Sequence, residues 1–174
     1  MAENTIINDL TLRHEKVAFM AIKGADDAVT IRRMVGFTSM SNSRNPTEYT
    51  RKYVDEKNER TDITAINTSM GFAFDKFTGN DVHEYLAGIF DNELIGADAV
   101  VDIYVVDFTK PTATGENVTT FECAHRPFTV VPSSDGDDAN TYTYSGDFRS
   151  NGDRVKGVAT VVDDGLTITF VKAV

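Results

Sequence analysis

The side chains best suited to chemistry in this sequence are three histidines, one cysteine and a large excess of carboxylates, 27 Asp and Glu in 174 residues. Their spacing does not assemble a familiar reaction. His14, His83 and His125 fall in three separate stretches, none at the short intervals that place two imidazoles on one metal. Cys123, between Glu122 and Ala124 in a strand-like run, reads as a small apolar filler rather than a nucleophile. A lone cysteine also means that no intramolecular disulfide can form. The run DGDDANTYTYSG (135–146) alternates oxygen donors as a calcium loop does. It lacks the glycine at the sixth position and the glutamate at the twelfth that such a loop needs, so a solvated turn is expected. Nucleophile elbows, phosphate-binding glycine loops and dinucleotide fingerprints are absent from the sequence. Among so many acids, a pair spaced like a glycosidase dyad is expected by chance. No catalytic, cofactor or metal residue is therefore assigned, and a non-enzymatic chain is expected.

Charge narrows the partners. The chain carries a formal net charge of -10, with 41% hydrophobic and 25% charged residues. Such a chain repels nucleic acid and anionic membranes at long range, although it can still work beside DNA. The Arg32–Arg33 pair occupies adjacent positions, which in a strand face opposite ways and do not make a phosphate groove. The opening MAENTIINDLTLRHEK carries acids early and no long apolar run, so neither a signal peptide nor a bilayer span is expected. The expected setting is a cytoplasm.

The elements that must position any site are mostly strands. Period-two alternation marks them at 17–23, 29–40, 62–77, 97–108, 117–131, 141–148, 154–162 and 166–174. On 29–40, Val29, Ile31, Val35 and Phe37 share a face; on 62–77, Ile66, Met70, Phe72 and Phe74 do. On 97–108 the shared face is Ala99, Val101, Ile103 and Val105. TKPTATGE (109–116), PSSDGDD (132–138) and DDG (163–165) are the turns, and Asn151-Gly152 is a strong hairpin signal. One helix is expected over about 80–91. Asn80 caps it, Asp81 suits its positive end, and Val82, Tyr85, Leu86, Ile89 and Phe90 form an apolar stripe with His83 on the solvent side. The expected fold is mainly β: one domain, an antiparallel β-sandwich or barrel of about eight strands with one flanking helix.

One stretch does not fit that pattern. NPTEYTRKYVDEKNERTDI (45–63) places nine charged residues between two strands. Asn45-Pro46 with Glu48 resembles a helix start, and opposite charges at Glu48/Lys52, Arg51/Asp55, Lys52/Glu56 and Glu56/Arg60 suit a helix. An extended reading places Tyr49, Arg51, Tyr53 and Asp55 on one face. Neither conformation has a face apolar enough for a core. A solvated excursion is the plain reading. A projecting arm with partners on another subunit is the sharper one, since mixed charge and tyrosines suit a polar interface.

The stretch GFTSMSNSRNPTEYTRKYVDEKNERTDITAI resembles the loop region of major tail tube proteins of long-tailed, siphovirus-like bacteriophages. The resemblance is carried by Arg51, Tyr53, Val54, Asp55 and Glu56, then Phe72, Phe74 and Asp75. Later positions also match: Pro132, Tyr144, Ser145, Gly146, Asn151, Gly152, Asp153, Val155 and Gly157. It covers about residues 30–170.

The resemblance implies homohexameric rings stacked into a tail tube through which DNA passes without specific binding. It also implies other tail proteins at the tube ends, assembly in a host bacterial cytoplasm, a final place in the virion and no membrane partner. It makes 41–62 an inter-ring loop, with Arg44, Tyr49, Arg51, Lys52, Tyr53, Asp55, Glu56, Glu59 and Arg60 as contacts, and 1–14 an N-terminal arm. The acid excess then suggests an electronegative lumen, lined by the strands at 29–40, 62–77, 97–108 and 117–131, with Asp98, Asp102 and Glu122 facing it. Alternatives are the inner tube of a contractile injection or secretion system, which shares this fold, and a β-sandwich binding module on a particle surface.

Overall fold

Eleven strands and one α-helix make up the described residues, 10–115 and 118–173, of the computed structural model. In chain order they are β1 (Lys16–Lys23), β2 (Val29–Arg33), β3 (Phe37–Ser43), β4 (Pro46–Arg51), β5 (Arg60–Ile66), β6 (Ser69–Asp75), α1 (Asp81–Asp91), β7 (Val100–Pro111), β8 (Thr120–Asp135), β9 (Thr143–Ser150), β10 (Val155–Val162) and β11 (Thr167–Lys172). The nine ladders whose register is described are all antiparallel. The chain divides into two compact units. One holds residues up to Met34, Ile103–His125 and Arg154 onward; the other holds Val35–Asp102 and Arg126–Asp153.

The first unit is a closed barrel of six strands in the order β10-β11-β2-β1-β7-β8, with β8 returning to β10. Closure leaves no open sheet edge along these pairings. Its core gathers Val17, Phe19, Val106, Cys123, Ala159 and Ile168, with Ile31, Tyr104, Phe108, Phe121, Val161 and Phe170 packed around them. Cys123 fills space here, as its neighbours suggested, and burial pushes its thiol up to about 12. Gly157 is where two strands come too close for a side chain. A Cβ there would lie 2.3 Å from the Val171 carbonyl oxygen and 2.5 Å from the Phe170 ring.

The second unit is an antiparallel sheet with α1 on it. β8 (here its C-terminal half), β9, β6 and β3 lie side by side in that order. Alternation on β6 buries Met70, Phe72 and Phe74, and alternation on β9 buries Tyr144, Gly146 and Phe148. The rings form one continuous stack. Phe72 lies 4.2 Å from Phe148, Phe74 lies 5.4 Å from Tyr144, and Phe90 of the helix meets Tyr144 edge-on at 5.1 Å. Asn80 caps the helix as expected, its side-chain oxygen accepting from the N–H groups of Val82 and His83.

His83 corrects the sequence reading. It is fully buried against the sheet, not turned to solvent. Its Nδ1 accepts from the Phe77 N–H at 3.1 Å, which leaves the proton on Nε2 to donate to the Val35 carbonyl at 2.7 Å. Its ring stacks on Phe74 at 4.6 Å. A period-based reading assigns a histidine to the wet side because it is polar. Two backbone partners offset the cost of burial here.

Burial pushes the His83 pKa below its ordinary 6.5; the Val35 hydrogen bond and the charges of Glu84 and Asp75 offset part of that. The unfolded chain therefore binds this proton at a higher pH than the native one does. The stability that this neutral imidazole contributes is fully present above about pH 6.5 and declines as pH falls through that value towards the lower folded pKa. The urea midpoint is expected to drop between pH 7 and 5, with a shallower drop in His83→Gln. Parallel slopes in the two proteins would refute this role.

Several strand boundaries also differ from expectation. The run 29–40 is two strands, broken at Gly36, whose φ of +75° suits glycine; Val29 and Val35 are exposed. The run 62–77 is likewise broken between β5 and β6, so Ile66 is exposed while Met70, Phe72 and Phe74 keep their shared buried face. At 97–108 a short 3-10 turn (Gly96–Ala99) precedes β7, and the buried positions shift from Ile103 to Val106, leaving Val105 exposed. PSSD belongs to β8 rather than to a loop. The turns at 109–116 and the start of 117–131 lie partly outside the described residues.

Asn151-Gly152 is not a hairpin. β9 pairs with β8 through 128–135 and β10 pairs with the same strand through 120–125, so the chain runs on along β8 without reversing. The hairpin at DDG does form, between β10 and β11.

Candidate functional site

The charged stretch is a β-hairpin. Among the described residues β4 and β5 pair only with each other, as a separate two-stranded sheet, and every residue of both strands is exposed. The helical reading of the opposite-charge pairs is thereby set aside in favour of the extended one. A lone two-stranded ribbon is marginal in water, so its local fastenings matter.

They are found at its base, middle and tip. At the base, the Asn67 N–H donates to the Asn45 carbonyl at 3.2 Å, and Asn45 Nδ2 donates to the Asn67 carbonyl and to Ser69 Oγ, both at 3.1 Å. Asn45 adopts a left-handed φ of +43°, which asparagine tolerates better than most residues. In the middle, the hydroxyls of Thr50 and Thr61 lie 2.9 Å apart, and Arg51 Nη1 donates to the Tyr49 hydroxyl at 2.8 Å. At the tip, the Glu56 N–H donates to the Tyr53 carbonyl and the Glu56 carboxylate pairs with Arg60 at 3.4 Å.

The residues singled out in the sequence fall along this ribbon. Arg44 precedes β4, Tyr49 and Arg51 lie in it, Lys52, Tyr53, Asp55, Glu56 and Glu59 make the turn, and Arg60 opens β5. Tyr49 and Arg51 share a face with Asp62 and Arg60, their register partners. Arg51 and Arg60 are thus like charges directly opposite, an arrangement that costs stability in an isolated hairpin. The apolar side chains on the arm are equally unsheltered: Val54 at the tip is 108% exposed and Ile63 63%.

Sequence reasoning misses two features. Val54 stands among charges with nothing local to mark it as an apex, and the Asn45/Asn67 clamp hides in what resembles a helix start. The Asn-Pro dipeptide at 45–46 is the available signal, since it favours a turn.

The lumen candidates lie outside β4 and β5 in the sequence. Asp98 is exposed in the 3-10 turn, and Asp102 lines an open concavity with Gly96, Ala97, Val100, Thr129 and Asn151, all in the second unit. Glu122 lies in the first unit, 3.5 Å from Lys110 Nζ. Of the proposed N-terminal arm, residues 1–9 lie outside the described residues, and Leu10 and Leu12 are exposed. Among the described residues no three His, Cys, Asp or Glu side chains are grouped to hold a metal ion, and no helix is long and apolar enough to cross a membrane.

No family model and no curated protein matches the sequence. Solved structures do. The fold is similar to that of a chain in the tail of an empty gene transfer agent particle, obtained by helical refinement with C6 symmetry. The TM-score is 0.56 and identity 13%, over 83% of this chain and 97% of that one. A chain in the virion of a native gene transfer agent particle gives a TM-score of 0.55 at 12% identity, over the same shares of each chain. At such identities the likeness is one of fold alone.

Proposed function

We propose that this chain is a tail tube protein of a long-tailed, siphovirus-like bacteriophage: a structural, non-enzymatic protein of which six copies close a ring and the rings stack into a tube. The observation that carries this reading is the β4–β5 arm. It leaves its apolar tip and tyrosines in solvent and sets like charges opposite each other, all of which a neighbouring ring would relieve. The fold shared with a tail chain refined with C6 symmetry supports it. In this reading Arg44, Tyr49, Arg51, Lys52, Tyr53, Asp55, Glu56, Glu59 and Arg60 contact the adjacent ring, and both compact units serve one assembly domain. Asp98 and Asp102 face the channel, where a net charge of -10 per chain repels passing DNA and lets it slide. Assembly takes place in the host cytoplasm, other tail proteins cover the tube ends, and the finished tube belongs to the virion.

Negative-stain microscopy of the concentrated protein tests the proposal. Hollow tubes or six-fold rings are expected; a species that stays monomeric at millimolar concentration would refute it.

A further inference from the structure

One surface of the barrel unit runs against the charge of the chain. A concavity of about 540 Å³ lies where β7, β8 and β10 meet, and Lys16, Lys110, Arg154 and Lys156 line it. Two acids share it, and both are engaged: Asp107 lies 3.3 Å from Lys16 and Glu122 3.5 Å from Lys110. Arg154 and Lys156 are exposed, and neither forms an ion pair among the described residues. Among the described residues the groove therefore holds two cations without an ion-pair partner, on a chain of net charge -10.

The same chain carries a segment of complementary charge. From Pro127 to Phe148 there is no Lys, Arg or His, and the β8–β9 turn presents Asp135, Asp137 and Asp138 in solvent. That turn is fastened by hydrogen bonds. Ser134 Oγ donates to Asp137 at 2.6 Å, Asp138 accepts from the N–H groups of Asn140 and Thr141, Tyr142 donates its hydroxyl to Asp135, and the Gly136 N–H donates to the Thr143 carbonyl at 2.8 Å. A preorganised turn loses little entropy on docking.

We propose that the Lys16–Lys110–Arg154–Lys156 groove binds the acidic 135–138 turn of a second copy of this chain. The two surfaces differ, so the contact is heterologous: each copy offers a turn to one neighbour and a groove to the other. Repeated by rotation, such a contact closes a ring. Steering between opposite charges speeds the encounter and fixes its register. A nucleic acid suits the groove less well, because its cations are interleaved with carboxylates and the rest of the chain repels polyanions. The proposal rests on the self-assembly reading above and assigns Glu122 to this contact rather than to the channel.

Charge exchange between copies tests it. The groove variant is Arg154→Glu with Lys156→Glu. The turn variant is Asp137→Lys, Asp138→Asn and Ala139→Lys, where the change at Asp138 removes its charge and keeps the side-chain oxygen that caps the turn. Sedimentation velocity at 150 mM salt is expected to show at least a tenfold weaker self-association for each variant alone. Recovery is expected in an equimolar mixture, where each altered turn meets an altered groove. Unchanged melting temperatures confirm that both variants fold. Wild-type-like association of either variant, or a mixture that does not recover, overturns the proposal; so does loss of duplex DNA binding in the groove variant with association intact. Oligomers that depend on this contact yet never stack would instead count against the tube.

Discussion

Replacing residues 46–66 by a two-residue Asn-Gly turn is expected to give a folded protein that closes rings but does not stack them. The replacement joins Asn45 to Asn67, whose backbones already hydrogen-bond at 3.2 Å, so the β3–β6 ladder from Phe37↔Phe74 to Ser43↔Ser69 keeps its register. Nothing buried is lost, since every residue of β4 and β5 is exposed. The change in unfolding free energy should stay near the range of surface substitutions, within about 0.5 kcal/mol. Electron microscopy reads the assembly and urea titration the stability. Two smaller changes localise the effect: Val54→Asp removes the apolar tip, and Tyr53→Ala removes the aromatic beside it. Tubes of normal length from the replacement would sink the arm hypothesis outright.

The largest loss of stability is expected from Phe148→Ala. Phe148 is fully buried in β9, stacked 4.2 Å from Phe72 and edge-on to Phe128 at 6.4 Å. Truncation removes a ring from the middle of the stack and leaves a cavity that the paired strands β6 and β8 cannot close by moving. Large-to-small changes of this kind cost about 3–5 kcal/mol. For a chain of this size each kcal/mol lowers the melting temperature by roughly 2–4 °C, so a fall of about 6–20 °C is expected. Phe148→Leu should cost markedly less. A melting temperature within a degree or two of wild type for the alanine variant would show that the stack does not hold the sheet together.

These expectations depend on details that were unevenly legible in the sequence. Alternation found the buried faces well where a strand was continuous: Met70, Phe72 and Phe74 lie on one side of β6 as read. It failed at breaks, because a period of two carries no mark of where pairing changes partner. Val35 and Phe37 looked like one face of one strand, yet a left-handed glycine between them redirects the chain. The helix was legible from Asn80 to Phe90 because cap and stripe agree, while His83 was not. Its burial depends on the Val35 carbonyl, 48 positions away, and no local pattern reports such a partner. The arm shows both sides of this. Its exposure followed from composition, but helix or hairpin could not be decided. The cross-strand pairs Tyr49–Asp62 and Thr50–Thr61 are no more visible in a linear reading than the i, i+4 pairs that compete with them.

The burial of Cys123 has a practical consequence. It is the chain's single cysteine, and its thiol, enclosed by the barrel core and held to about 12, stays unreactive at neutral pH. A cysteine introduced at Val54 would therefore be the sole addressable thiol on each subunit. A fluorophore attached there would sit at the apex of the arm without competing labels. If the arm leaves water on stacking, as proposed, its change in emission would time the addition of each new layer to a growing filament.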